Sequence, residues 1–296
     1  MSKGKHDQVD MLHGPLLGKL ILFALPLALS SILQQLFNAV DIAVLGQFAT
    51  SQDQAAVGCT SAVINMFLNL FLGISVGANV VIATYIGQRD KEKVQASVHT
   101  AMLIALISGF VMMLVGFVTA RPILELIQTP ESIMPVAIMF LTATIWGIPG
   151  QYTLTIGAAV FRSAKMVLIP LYVTGTACLL NVFGDLAFGL GWWGFPAYGA
   201  TGIAYSTLVS VTVGAALMLF LLMRHELFTR DSFPGWRWIK AGAPYLLKVA
   251  GPAFGTSFLW QTGYMVLYVI TASLPFGRVN ALAGLTTGLR VGSILF

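Results

Sequence analysis

Residues 25–48 read LPLALSSILQQLFNAVDIAVLGQF, an apolar run in which Asp41 is the one charged side chain, with Pro26 near its start and Gly46 near its end. A helix rises about 1.5 Å per residue, so this run is long enough to cross a hydrocarbon layer about 30 Å thick. A charge near the centre of such a helix costs about 2.5–3.5 kcal/mol on insertion scales. The stretch therefore reads as a membrane helix whose single acid needs a purpose.

Much of the pattern recurs later in the chain. A shift of 226 residues superposes Pro26 on Pro252, Ser31 on Ser257, Gln35 on Gln261, Ala55 on Ala281 and Gly58 on Gly284, without a gap. Repeated halves of this kind are characteristic of secondary transporters. Composition agrees: 57% of residues are hydrophobic, 9% are charged and the mean hydropathy is +0.85, far from the values of water-soluble domains.

Apolar runs between charged or Gly/Pro-rich breaks predict eight helices, near 18–47, 55–86, 94–120, 131–161, 167–190, 199–223, 243–274 and 279–296. With a cytoplasmic amino terminus, Lys3, Lys5, Lys19, Arg89, Lys91, Lys93, Arg162, Lys165, Arg224, Arg230, Arg237, Lys240 and Lys248 collect on the inner side. Only Arg121 and Arg278 fall opposite. Positive charge retains short loops in the cytoplasm, so this division sets the orientation and supports the helix count. It also accounts for the net charge of +5 without nucleic acid.

The predicted organisation is a cytoplasmic tail (1–17), a first six-helix lobe (18–223), a cytoplasmic linker RHELFTRDSFPGWRWIKAG (224–242) and the start of a second lobe (243–296). The fold class expected is an all-α integral membrane protein of two helical lobes, with the first lobe complete and about two helices of the second. The second copy stops inside an apolar run, so the chain reads as truncated. The polar first residues lack the apolar core of a removable signal peptide.

Asp41 and Asp185 are the two acids well inside predicted helices, and both arrive in the outer half of the bilayer. Asn181 lies four residues before Asp185, on the same helical face, and Thr201 begins the next helix at a similar depth. Carboxylate, amide and hydroxyl oxygens are hard donors suited to Na⁺, and two neighbouring carboxylates can also exchange a proton. Asp41, Asn181, Asp185 and Thr201 are thus a candidate cation-coupling site for Na⁺ or H⁺. The alternative is that each Asp is a structural hydrogen-bonding group.

Pro26, Pro149 and Pro252 lie inside predicted helices, where loss of a backbone hydrogen bond permits bending. Pro26 and Pro252 are the hinge candidates. Gln34, Gln35, Asn38, Gln151 and Gln261, with Asn69, Trp146, Tyr152, Trp260 and Tyr264, supply polar and aromatic groups for a cavity that takes amphipathic molecules. Gly73 and Gly77 form a GxxxG, which permits close helix packing. Cys59 and Cys178 read as small packing residues.

There is no GxxxxGK[ST] phosphate loop, and Thr229 stands where HExxH needs its second His after His225-Glu226. Asp41 follows Val40, and Asp185 closes Val182-Phe183-Gly184-Asp185, so the YD and GxGD signatures of membrane aspartyl proteases are not met. No catalytic residues, no enzymatic activity and no organic cofactor are expected.

At this point the order of motifs becomes recognisable. LPLALSSILQQLFNAVDIAVLGQF (25–48) followed by AAVG (55–58), the Asn181-x-x-x-Asp185 segment, and Gly199-Ala200-Thr201-Gly202-Ile203-Ala204 resemble multidrug and toxic compound extrusion (MATE) transporters. The resemblance implies Na⁺- or H⁺-driven antiport of cationic or amphipathic compounds by alternating access between two six-helix lobes. It also implies a cation site at Asp41, Asn181, Asp185 and Thr201. The implied protein is a multi-pass plasma-membrane monomer whose partners are small-molecule substrates and lipid. Two rival expectations are a lipid-linked oligosaccharide flippase of the same superfamily and a non-transporting membrane assembly subunit.

Overall fold

A computed structural model of the chain describes residues 17–18, 20–33, 51–126, 131, 133–228 and 236–272. Its described elements are helices α1 (Leu20–Leu33), α2 (Ser51–Gly87), α3 (Lys91–Leu126), α4 (Met134–Ser163), α5 (Leu168–Gly184), α6 (Ala200–Arg224) and α7 (Trp236–Ala272). A π turn (Asp185–Gly189) continues α5, and a 3-10 turn (Trp192–Gly194) lies in the α5–α6 connection. Among the described residues, four helices are long and apolar enough to cross a membrane: Lys91–Glu125, Met134–Ser163, Leu168–Gly189 and Ala200–Arg224. Leu20–Leu33 and the Phe71–Gly87 part of α2 are shorter apolar stretches.

The second to seventh expected helices fall where the apolar runs put them, as does the described part of the first. The eighth, 279–296, and the second half of the first lie outside the described residues. Helix ends differ by up to seven residues, with α2 starting at Ser51 and α3 running on to Leu126, and two of the early starts have a physical reason. α3 starts at Lys91, ahead of the apolar run, because Asp90 caps it: Oδ1 accepts the Lys93 backbone N–H at 3.1 Å. α7 starts at Trp236, seven residues before the expected 243, because Trp236-Arg237-Trp238-Ile239-Lys240 contains charge but no helix breaker.

α4 is the hub, packed against α2, α3 and α6, while α5 pairs with α6, and α7 rests on α2 and α3. Buried side chains of α2, α3, α4 and α6, among them Ile82, Met102, Leu141, Phe161 and Met218, form one continuous core. Apolar residues such as Ile107, Leu114, Val118, Leu179 and Val209 face outward. An apolar exterior is what a lipid solvent requires.

Hydroxyl groups in the helices fall into two sets. Many bond a carbonyl of their own helix one turn back, as Thr84 does to Val80, Thr119 to Val115 and Thr212 to Leu208. In three cases that carbonyl belongs to proline: Ser30 bonds Pro26 at 2.8 Å, Thr153 bonds Pro149 at 2.8 Å and Thr256 bonds Pro252 at 2.9 Å. Back-bonding of this kind bends helices. The shift of 226 that superposes Pro26 on Pro252 also superposes Ser30 on Thr256. The second set crosses between helices: Tyr152 Oη donates to the Phe67 carbonyl at 2.9 Å, and Ser163 Oγ donates to Asn79 Oδ1 at 3.0 Å.

Candidate cation site

The site is built where α5 ends and α6 begins. After Gly184 the helix widens into the π turn, closed by the Leu190 backbone N–H on the Asp185 carbonyl at 3.1 Å. Such turns interrupt the regular ladder and recur at functional positions. The connection then folds back, with the Tyr198 N–H on the Phe188 carbonyl at 2.8 Å and the Gly199 N–H on the Gly189 carbonyl at 3.1 Å. Gly191 supplies the left-handed residue this reversal needs, at φ 75°. At Gly202 a Cβ would run into the Phe188 carbonyl oxygen, so only glycine lets α6 start this close to the π turn.

That close approach puts α6 hydroxyls against the acid and amide of α5. Asn181 and Asp185 are both 0% exposed. Asn181 Nδ2 donates to Thr207 Oγ1 at 3.2 Å and faces Asp185 Oδ1 at 3.5 Å. Ser206 Oγ donates to the Asn181 carbonyl at 3.0 Å. Thr207 spends its own proton on the Ile203 carbonyl at 3.0 Å, which leaves its lone pairs for the amide.

The consequence is an oriented amide. With Nδ2 held from both sides, Asn181 Oδ1 points elsewhere, and among the described residues it has no hydrogen-bond partner. Leaving a buried acceptor unsatisfied costs about 1–3 kcal/mol, so the atom needs an electropositive neighbour. A carboxylate, an amide oxygen and hydroxyls are a donor set that fits Na⁺, and the carboxylate alone can carry a proton.

Of the residues expected from sequence, the structure brings Asn181 and Asp185 together. Thr201 sits half-buried in the first turn of α6, and the hydroxyl that reaches the Asn181 amide is that of Thr207. Ser206 and Thr207 were not anticipated; the signal available was Gly184 and Gly202, which announce close packing of the two helices that carry them. Asp41, Gln34, Gln35 and Asn38 lie outside the described residues, as does the side chain of Gln261. Gln151 is half-buried on α4, and its carbonyl accepts Thr155 Oγ1 at 2.8 Å.

Tyr152 departs from its expected place along a cavity. It is 2% exposed, its ring stacks on Phe71 at 3.8 Å and its hydroxyl is spent on Phe67, so it is a packing residue between α2 and α4. Trp260 is exposed and lines an open groove of about 540 Å³ with Thr256, Leu259, Gly263 and Leu267 on α7. Pro26 is buried on α1 and Pro252 exposed on α7.

An all-helical fold with an apolar exterior and an acid–amide pair buried at a helix interruption defines a polytopic membrane protein. The family model described as MatE matches residues 26–186, more than half of the chain, and the chain belongs to that family. Its curated relatives include the probable multidrug resistance protein NorM of Thermotoga maritima, 27% identical over 94% of this chain and 59% of the relative. The probable multidrug resistance protein YoeA of Bacillus subtilis is 26% identical over 69% of this chain and 44% of the relative.

The same fold is found in a MOP superfamily transporter from Pyrococcus furiosus, with a TM-score of 0.79 at 21% identity over 93% of this chain and 60% of that one. It is found again in the outward-facing conformation of a multidrug resistance MATE family transporter, with a TM-score of 0.80 at 22% identity, over 93% and 60%. The chain thus spans less than two thirds of the length of these proteins.

Proposed function

We propose that the protein is a secondary active antiporter that exports cationic or amphipathic compounds, drugs among them, in exchange for Na⁺ or H⁺ by alternating access. The reading takes the chain as residues of a two-lobed transporter in the plasma membrane, amino terminus inside, with Asp41, Asn181, Asp185 and Thr201 as the coupling site. The observation that carries it is the fully buried Asn181–Asp185 pair with its amide oxygen turned away from every described donor. Family membership and the multidrug resistance names of the relatives support the substrate class.

In this mechanism Asp185 supplies charge, Asn181 supplies a neutral oxygen and Thr207 fixes the amide. Pro26 in α1 and Pro252 in α7 allow the helices to bend as the access state changes. The ion must bind the two access states unequally, since equal affinity would shift neither.

The test is efflux of a fluorescent cationic dye from cells expressing the full-length protein, wild type against Asp41→Asn and Asp185→Asn at matched membrane levels, under imposed Na⁺ and pH gradients. Both variants are expected to lose gradient-driven efflux, and the gradient that drives wild type identifies the ion. Unchanged gradient-driven efflux in either variant reduces that acid to a structural group. No wild-type efflux across a broad dye panel moves the reading to a flippase or an assembly role.

A further inference from the structure

Among the described residues, four that are not glycine hold a positive φ. Arg89, Lys165 and Glu226 follow the ends of α2, α4 and α6, where a left-handed residue commonly closes a helix. Trp193 ends no α-helix. It stands at φ 56° inside the 3-10 turn between Gly191 and Gly194, which take φ 75° and 85° without steric cost. A bulky side chain in this region is strained, and it persists where other contacts over-determine the conformation.

Those contacts are rings of α5 and its π turn. Trp193 stacks on Phe183 with centroids 5.1 Å apart and planes 18° apart, and Phe195 meets Phe188 edge to face at 5.0 Å. Trp192 braces Trp193 at 6.0 Å. The two rings that receive the loop bracket Asp185, one two residues before it and the other three after. At the same level the Tyr198 and Gly199 N–H groups donate to the Phe188 and Gly189 carbonyls, which ties the start of α6 to the π turn. Asp185-Leu186-Ala187-Phe188 contains no helix breaker, so a regular α turn is what this stretch would take by itself. Tertiary contact holds it otherwise.

We propose that the two ring pairs form a clasp that holds the π turn and, through it, the register of α6 on α5, which makes Trp193 and Phe195 positioning residues for the cation site. The proposal rests on the coupling reading of Asn181 and Asp185. Asn181 lies ahead of the π turn, and Ser206 and Thr207 lie beyond it. Winding the π turn back to a regular one would carry Phe188, Gly189 and the α6 start tied to them round by about one residue, or about 100°. Thr207 Oγ1 would then leave Asn181 Nδ2, now 3.2 Å away, and Ser206 would leave the Asn181 carbonyl. The amide would lose the partner that turns its oxygen toward an ion.

The test uses the full-length protein in proteoliposomes, with transport of a cationic dye followed against Na⁺ at fixed pH and against pH at fixed Na⁺. Trp193 is 63% exposed, so trimming it opens no hole in the core. Trp193→Ala is expected to raise the half-saturating concentration of the coupling ion about fivefold, the worth of one hydrogen bond, with little change in maximal rate. Trp193→Phe, which keeps a ring, is expected to restore most of the affinity. Trp193→Gly relieves the strained backbone but removes the ring, and is expected to behave like Trp193→Ala; wild-type affinity in the glycine variant overturns the clasp and leaves Trp193 a turn residue. Without ion, amide hydrogen exchange over 186–199 is expected to run several times faster in the alanine and glycine variants than in wild type or Trp193→Phe, and equal rates overturn the clasp as well. Asp185→Asn separates the two readings. If it uncouples transport while Trp193→Ala leaves half-saturation unchanged, the clasp is overturned and the site stands; if it remains gradient-driven, the coupling reading falls and exchange alone decides the clasp.

Discussion

The α5–α6 junction and the α2–α7 seam both use glycine to bring two helices into contact, and they put the contact to opposite use. At the first, Gly184 and Gly202 admit Ser206 and the Phe188 carbonyl, and the space between is filled with polar atoms that bond across it. At the second, Gly73 and Gly77 admit the α7 backbone at Ala250, Ala253 and Phe254, and the Tyr85 and Tyr245 rings lie further along the same contact. A contact tied by hydrogen bonds fixes the register of two helices as well as their distance; close approach of bare backbone fixes the distance. Glycine sets how near two helices come, and the residues beside it decide what else is fixed.

The sharpest challenge to this contrast is Gly202→Ala. Its Cβ would meet backbone, the Phe188 carbonyl oxygen and, at 2.9 Å, the Gly189 nitrogen, neither of which can rotate away. Overpacking of this kind costs about 1–3 kcal/mol, and the expected outcome is a clear fall in the thermal unfolding midpoint of the purified protein. Gly87→Ala, at the end of α2 where a Cβ meets nothing within 4 Å, is expected to be neutral or slightly stabilising. If the two variants unfold alike, glycine at the junction is not a packing requirement.

Thr207→Val has a smaller expected effect and acts on orientation. It removes the acceptor that holds Asn181 Nδ2 at 3.2 Å while keeping the shape of the side chain. A hydrogen bond contributes about 1 kcal/mol, so the half-saturating concentration of the coupling ion is expected to rise about fivefold with little change in maximal rate. A fall in maximal rate at unchanged half-saturation would show that Thr207 does something other than aim the amide.

These outcomes bear on how much was legible beforehand. The helices were, because a bilayer demands long apolar runs, and charge on the connecting loops separates one run from the next. Asn181 and Asp185 were also legible as a pair, since four residues bring two side chains to one helical face. Thr207 was not. Which hydroxyl of α6 faces α5 depends on the rotation of α6 about its axis, and that is set by the hairpin through Gly191 and the π turn at Asp185, neither of which has a spacing signature. Tyr152 was misjudged because an aromatic hydroxyl looks the same in sequence whether it lines a cavity or satisfies a carbonyl of the neighbouring helix.

The smallest effect is expected at the turn between α2 and α3, from Asp90→Asn. The Lys93 backbone N–H, and then its side chain, hold the Asp90 carboxyl below its ordinary value of 3.8. Because folding lowers this value, the stabilisation is fully present at neutral pH and is lost as the pH falls through the folded value. The variant is therefore expected to unfold slightly earlier than wild type at neutral pH and to match it in strong acid. A difference that persists in acid would mean the residue acts through packing instead of charge.

The two sets of hydroxyls imply an order of assembly. Thr84, Thr119, Thr212 and the three proline-linked hydroxyls are satisfied by their own helices, so each of those helices can enter lipid alone, before any neighbour has arrived. Tyr152 and Ser206 bond across helix boundaries, and Ser163 and Asn181 add a partner across one to a partner in their own helix or its continuation. The crossing bonds wait until α2 has found α4 and α5 has found α6. Insertion is thus written into single helices and recognition into pairs of them, and the candidate cation site is among the features that only the second stage completes.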